Sequence, residues 1–282
     1  MDYHCDRFTD HSLMFYEQNK LIAVLPANRK ESTLVSHGGL TYGGLILAPR
    51  TRAVTVGELF ETMLTHCCET GLSTIRYKCT PAIYHRSPSE EDLYWLFRKG
   101  FSLVRRDIST TIKINSSRHL TKGRKWAMSR ARQANLQITE SSTLVAPVIE
   151  IATKNLEAKY GSKLTHSTEE MTLLADTFPS QIRTFGVHKE NQLLGGSIVF
   201  VSGDVAHTQY IAFTDYGKDE FGFDALMLKW LNETFVNLQY LDFGISTEQE
   251  GQWLNTGLIE FKESFGGRAT VCDTYELQTT AS

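Results

Sequence analysis

The chain has 282 residues, enough for one large domain or two small ones, and its 41% hydrophobic and 22% charged residues exclude a disordered chain. Lys and Arg total 29 against 32 Asp and Glu, and the resulting net charge of −3 gives no global attraction to nucleic acid or to an anionic membrane. No charge-free apolar run approaches the roughly 18 residues of a membrane-spanning helix, and the start MDYHCDRFTDH lacks a basic segment followed by an apolar core, so neither an integral membrane segment nor a secretory signal is expected.

From the N-terminus, Lys20–Leu25, Thr33–Ser36 and Leu40–Leu47 read as strands, with Asn19 and the Gly-Gly pairs marking turns. Val56–Glu69 reads as a helix, because Leu59, Met63, Leu64 and Cys67 fall on one face and Gly71 stops it. Ser73–Cys79 alternates like a strand, Glu90–Lys99 is helical with Gly100 behind it, and Phe101–Ile114 is strand-like. A second half opens with a strand at Leu136–Thr139 and helices at Thr143–Tyr160 and Thr168–Phe178, with Gly161 and Pro179 just past their ends. A meander of Ile182–His188, Leu193–Val201 and Val205–Phe213 follows, then helix Phe223–Val236, strand Tyr240–Ile245, helix Leu254–Phe265 and strand Ala269–Glu276.

The second half therefore runs β-α-α-β-β-β-α-β-α-β, and the first half shows the same order without its opening strand and two helices. Local details agree. Asn19-Lys20-Leu21-Ile22 parallels Asn191-Gln192-Leu193-Leu194, and Thr41-Tyr42-Gly43 parallels Asp215-Tyr216-Gly217. Phe97-Arg98 precedes Phe101 at the spacing by which Phe261-Lys262 precedes Phe265. Three matches in one order point to a duplicated unit. The expected division is a truncated half at 1–115, a basic connecting segment at 116–135 and a complete half at 136–282.

Cys5, Cys67, Cys68, Cys79 and Cys272 are odd in number and show no CxxC spacing, so reduced thiols in a cytoplasmic protein are expected. The histidines show no HExxH spacing, and no metal is expected. Chemistry is expected in the polar loop Ser246, Thr247, Glu248, Gln249, Glu250 and Gln252, between the buried strand Tyr240–Ile245 and the next helix, where α/β folds place functional groups. Arg118–Arg132 carries six Lys or Arg and no acid, and His37–Gly44 carries four glycines in eight residues, which permits close approach of a ligand.

The element order resembles the acetyltransferase superfamily called GNAT. The truncated half joined to a complete one, with Asp242-Phe243-Gly244, Gly251, Leu254-Asn255, Gly257-Leu258, Phe261-Lys262 and Phe265-Gly266-Gly267, resembles its FemAB-like branch, as does Tyr42-Gly43-Gly44. The resemblance covers nearly the whole chain. It implies an α/β (α+β) fold of tandem GNAT-like domains, the first truncated, each a mixed sheet flanked by helices, with a cleft between them. It also implies transfer of an activated acyl group onto an amine or hydroxyl, from acyl-CoA in some members and from aminoacyl-tRNA in the Fem peptidyltransferases that extend a cell-wall peptide. The net negative charge favours acyl-CoA as co-substrate over tRNA. A small acceptor such as an amino sugar or a nucleotide- or lipid-linked envelope precursor follows from family association alone.

In GNAT folds the fourth and fifth strands splay apart and the donor's acyl arm lies in the gap, here between Val205–Phe213 and Tyr240–Ile245. The resemblance places Lys262 beside the donor, to hold a phosphate or polarise the acyl carbonyl, with Phe261 and Ser246 at the donor site. His207 and Tyr210 fall near the gap, and Tyr210 is the candidate acid for the leaving thiolate. Asp242 and Glu248 are candidate proton acceptors, Asp242 equally a structural acceptor for backbone N–H groups. Gly217 and Gly222 stand where the family's CoA loop would lie, but Asp215, Asp219 and Glu220 depart from its basic character. His37, Tyr42, Arg124 and Arg130 are the candidate acceptor contacts.

Overall fold

The computed structural model describes residues 6–161 and 164–279, so Cys5 lies outside the described residues. Along the chain come Thr9–Asp10 (β1), Leu13–Glu17 (β2), Lys20–Leu25 (β3), Asn28–Lys30 (β4), Thr33–Val35 (β5), Ile46–Leu47 (β6), Ala53–Glu69 (α1), Thr74–Lys78 (β7), Glu91–Arg98 (α2) and Ser102–Lys113 (β8). Then follow Lys122–Gln133 (α3), Gln137–Glu140 (β9), Val145–Tyr160 (α4), Thr168–Thr177 (α5), Ile182–Lys189 (β10), Gln192–Ser202 (β11) and Val205–Phe213 (β12). The last stretch holds Asp215–Asp219 (α6), Gly222–Lys229 (α7), Tyr240–Ile245 (β13), Thr247–Glu248 (β14), Trp253–Leu254 (β15), Thr256–Glu263 (α8) and Arg268–Gln278 (β16). No helix among the described residues is long and apolar enough to cross a membrane.

The chain forms two compact units, neither contiguous in sequence. One runs to Ile108 and takes in Thr247–Leu254 and the chain from Thr270; the other comprises Ser109–Ser246 and Asn255–Ala269. In the first unit the strand order is β1-β4-β5-β7-β16, with β2-β3-β6 as a separate three-stranded sheet. β5 and β7 pair in parallel across α1, and β16 closes on β7 from Thr274↔Lys78 to Gln278↔Thr74. Helix α1 buries Val56, Leu59, Phe60, Met63 and Cys67, the spacing of one helical face, against Leu34, Ile75 and Tyr77.

The second unit has the order β8-β13-β12-β11-β10-β9. Its pairs are antiparallel except β12 with β13, which run parallel and are joined by a crossover through α6 and α7. Side chains alternate along β11, so Val199 joins a core of Phe185, Phe223, Leu226, Trp230, Leu241 and Phe265 on one face, while Ile198 joins Val145, Val148, Ile149 and Met171 on the other.

Several expectations are corrected. Leu40–Leu47 is a strand only at Ile46–Leu47, because the Lys78 ammonium gathers the carbonyls of His37, Gly38 and Leu40 and turns the preceding run into a loop. β2 was not expected, since LMFYE does not alternate; it is the outer arm of a hairpin with β3, closed by Gln18 and Asn19 at φ of 46° and 66°. The helix expected at Phe223–Val236 is α7 followed by a wider π turn at Trp230–Thr234. The helix expected from Leu254 starts at Thr256, because Trp253–Leu254 pairs with Thr247–Glu248 and the Asn255 side chain accepts the Leu258 N–H as its cap. Cys67, Cys68, Cys79 and Cys272 are free thiols.

Candidate active site

β12 and β13 pair through Val205↔Tyr240, Ala206↔Leu241 and His207↔Asp242, and the pairing stops there. The two strands part although both continue, β12 to Phe213 and β13 to Ile245. A strand that leaves its partner abandons ladder hydrogen bonds, and its buried polar groups need new partners. Those partners are specific. Gly244 turns at φ 75°, a conformation that favours glycine, and its N–H donates to Asp242 Oδ1 at 3.2 Å. The carbonyls of Gly244 and Ile245 accept from Lys262 Nζ, each at 2.8 Å, and the Asp242 carbonyl accepts from Thr208 Oγ1 at 3.5 Å. The register of β13 on β8 also slips between Asp242 and Ile245.

Lys262 rises from α8 as a buried residue, 5% exposed, and its third bond goes to Ser246 Oγ at 2.9 Å. All three ammonium donors are thus spent on the bend that opens the strands. Burial pulls its pKa from 10.5 to about 8, with the Asp242 charge pulling the other way. Asp242 is buried and accepts Ser109 Oγ, Thr111 Oγ1 at 3.3 Å and His207 Nδ1 at 2.9 Å in addition to Gly244. Three residues after His207, Tyr210 meets His166 Nδ1 through its hydroxyl at 2.7 Å, and burial raises its pKa, which keeps it a proton donor.

Lys262, Ser246 and Asp242 therefore stand together at the end of β13, with Tyr210 further along β12. Phe261 turns away from them, packing on Phe223 and Phe265 at ring-centroid distances of 5.7 and 5.4 Å. Arg124 is committed within the same aromatic group. It donates to Asp224 at 2.7 Å and Ser264 at 3.0 Å, and its guanidinium lies 3.8 Å from the Phe265 centroid. Arg130 stands exposed at the far end of α3. In the other unit, Tyr42 stacks on Tyr84 at 4.3 Å, the His37 carbonyl holds Lys78, and Glu248 is exposed on β14. The sequence places His207 near the gap without assigning it a chemical role. Its link to Asp242 becomes visible only with the register of two strands separated by a helix.

The turn around Gly217 and Gly222 does not fit a pyrophosphate. Gly217 N–H donates to Thr214 Oγ1, Lys218 N–H to Thr214 O, Glu220 N–H to Tyr216 O and Phe221 N–H to Lys218 O, so these groups are used inside the turn. The first turn of α7 holds Asp224, a carboxylate where an anion would sit. Both glycines serve packing: a Cβ at Gly217 would run into the Leu194 carbonyl, and one at Gly222 would lie 2.7 Å from the Phe213 ring.

No family model matches the chain. No curated protein matches it in sequence. Among solved structures it is similar to FemX, with a TM-score of 0.69 at 10% identity over 95% of this chain and 88% of that one. It is also similar to L-PGS from Bacillus licheniformis, with a TM-score of 0.63 at 10% identity over 96% and 85% of the two chains. A tandem GNAT protein from the clavulanic acid biosynthesis pathway follows, with a TM-score of 0.51 at 11% identity over 96% and 83%. At such identities the likeness is one of fold alone: the chain's fold is similar to those of FemX and of the tandem GNAT protein.

Proposed function

We propose that this chain is an acyltransferase that moves an acyl group from an activated ester or thioester onto the amine or hydroxyl of a small acceptor. The observation that carries the reading is the parting of β12 from β13 after His207↔Asp242, with the exposed polar groups of the bend taken up by Lys262, Asp242 and Thr208. Such an opening, built from dedicated side chains, is costly unless something uses it. An acyl arm lying there has its carbonyl beside the bend that Lys262 holds and near proton-transfer groups, which acyl transfer requires.

The donor has two readings, each with an observation behind it. The net charge of −3 favours an acyl-CoA thioester over a polyanionic tRNA, but its phosphates then need anchoring outside the turn at 214–222. That turn, together with exposed Lys122, Lys125, Arg130 and Arg132 on α3, favours an aminoacyl-tRNA and a Fem-type peptidyl transfer. An amino sugar or a surface-polysaccharide precursor is the acceptor class of the acyl-CoA reading, and a peptidoglycan precursor that of the Fem-type reading.

Thermal shift against acetyl-CoA, succinyl-CoA, UDP-sugars and charged tRNA tests the proposal, since a ligand that binds only the folded state raises its midpoint. A rise with one donor, followed by thioester consumption or ribonuclease-sensitive transfer, is expected. No rise with any donor, and tight binding of a glycan alone, makes the chain a binding protein and defeats the proposal.

A further inference from the structure

We propose that His207 is the proton acceptor of the transfer and that Asp242 is the residue positioning it. The inference rests on the acyl-transfer reading and names the group that reading requires.

Asp242 is poorly placed to take the proton itself. Its side chain is 5% exposed, and its oxygens already receive Ser109, Thr111, the Gly244 N–H and His207. A backbone N–H can only donate, so the carboxylate acts as an acceptor, and the imidazole nitrogen facing it is the one that carries hydrogen. With Nδ1 protonated and turned onto Oδ2 at 2.9 Å, the ring's lone pair lies on Nε2. This is how a carboxylate fixes the tautomer and orientation of a general base.

The dyad also stands at the right place. His207↔Asp242 is the last register pair before β12 and β13 separate, so the ring lies at the apex of the opening. His207 keeps 18% of its side chain exposed against 5% for Asp242. A Cβ at Gly244 would come 3.2 Å from Cε1 and 3.9 Å from Nε2, so a side chain at 244 would crowd that edge of the ring.

In the step itself, the acceptor nitrogen or oxygen forms a bond to the acyl carbonyl carbon while its proton passes to Nε2. The carbonyl π pair moves onto oxygen. Collapse of that intermediate breaks the bond to the leaving sulfur or oxygen, which departs with its electron pair and takes the proton back from the imidazolium. The products are the amide or ester and the free thiol or alcohol, with no other reactant needed.

Diethyl pyrocarbonate, which acylates an accessible unprotonated imidazole nitrogen, tests the dyad without knowledge of the substrates. Peptide mapping is expected to find His207 modified at least as fast as exposed His119, and Asp242→Asn to slow His207 several-fold with His119 unchanged. An unmodified His207, or no effect of Asp242→Asn, overturns the inference. With acetyl-CoA or charged tRNA as donor, His207→Gln is expected to lower kcat about 10²–10⁴-fold with donor KM nearly unchanged, and added imidazole to restore part of the rate to His207→Ala. Full activity in His207→Gln, its fold checked by melting, overturns the inference and leaves acyl transfer standing. A wild type that consumes neither donor overturns acyl transfer, and carbethoxylation then judges the dyad by itself.

Discussion

A buried ammonium is tolerable only when each proton meets an oxygen, and Lys262 meets this requirement with the bend of β13. The Phe261-Lys262 pair was legible in the sequence because of its spacing to Phe265. Its acceptors were not, because backbone carbonyls have no sequence signature. Replacing Lys262 by Met leaves those oxygens buried and is expected to cost about 2–4 kcal/mol, read from urea unfolding at neutral pH; a change under half a kcal/mol would show that the bend holds without the clamp. The pH dependence has a definite sign. The folded state gives up the Lys262 proton near pH 8, whereas an ordinary lysine keeps it to 10.5, so between these limits the unfolded chain binds more protons. Stability from this residue therefore rises with pH across that window and is lost as pH falls towards 8. Lys78 titrates in the same range, so the quantity to measure is the difference between wild type and Lys262→Met. That gap should widen by about 3 kcal/mol between pH 8 and 10.5. Gly244→Ala combines the positive φ with a crowded imidazole, and a loss of about 1–2 kcal/mol is expected.

At the scale of elements, α3 shows where reading a sequence by charge goes astray. The run Arg118–Arg132 looks uniformly cationic, but a helix turns its residues in different directions. Arg130 is solvated, while Arg124 is drawn inward between α7 and α8 by Asp224, a partner 100 residues away. Burial raises the Asp224 pKa even with Arg124 beside it, which marks a carboxylate that depends on its counter-ion. Arg124→Ala should then cost about 3–5 kcal/mol by stranding that charge. The double variant Arg124→Ala/Asp224→Ala should recover a large part of the loss. A double-mutant cycle by chemical denaturation checks this, and strict additivity would show that the pair is not coupled. Charge sign was readable in sequence, but the partner was not, because it depends on the packing of α3 against α7.

Over the whole molecule, element order carried furthest. The β-α-β units around α1 and α7 were readable from periodicity, and each shows a three-residue parallel pairing, Thr33↔Thr74 to Val35↔Arg76 and Val205↔Tyr240 to His207↔Asp242. Sequence order could not show which strand completes which unit. The end of β8, which follows the first half's helices, pairs with β13, and the end of β16, which follows the second half's, pairs with β7. Loop closure over such separations costs little more than over short ones, since its entropy grows only logarithmically. Removing the chain from Thr270 should therefore damage the unit most distant from it in sequence. β7 would lose the ladder from Lys78 to Thr74, and the core around Phe60 and Tyr77 would lose Tyr275 and Leu277, about 3–5 kcal/mol of apolar contact. Hydrogen exchange on the truncated chain is expected to show α1 and β7 amides released while those of β10, β11 and β12 remain protected. Release confined to the second unit would mean that β16 stabilises the half from which it emerges, and the exchange of terminal strands would then carry no weight in folding.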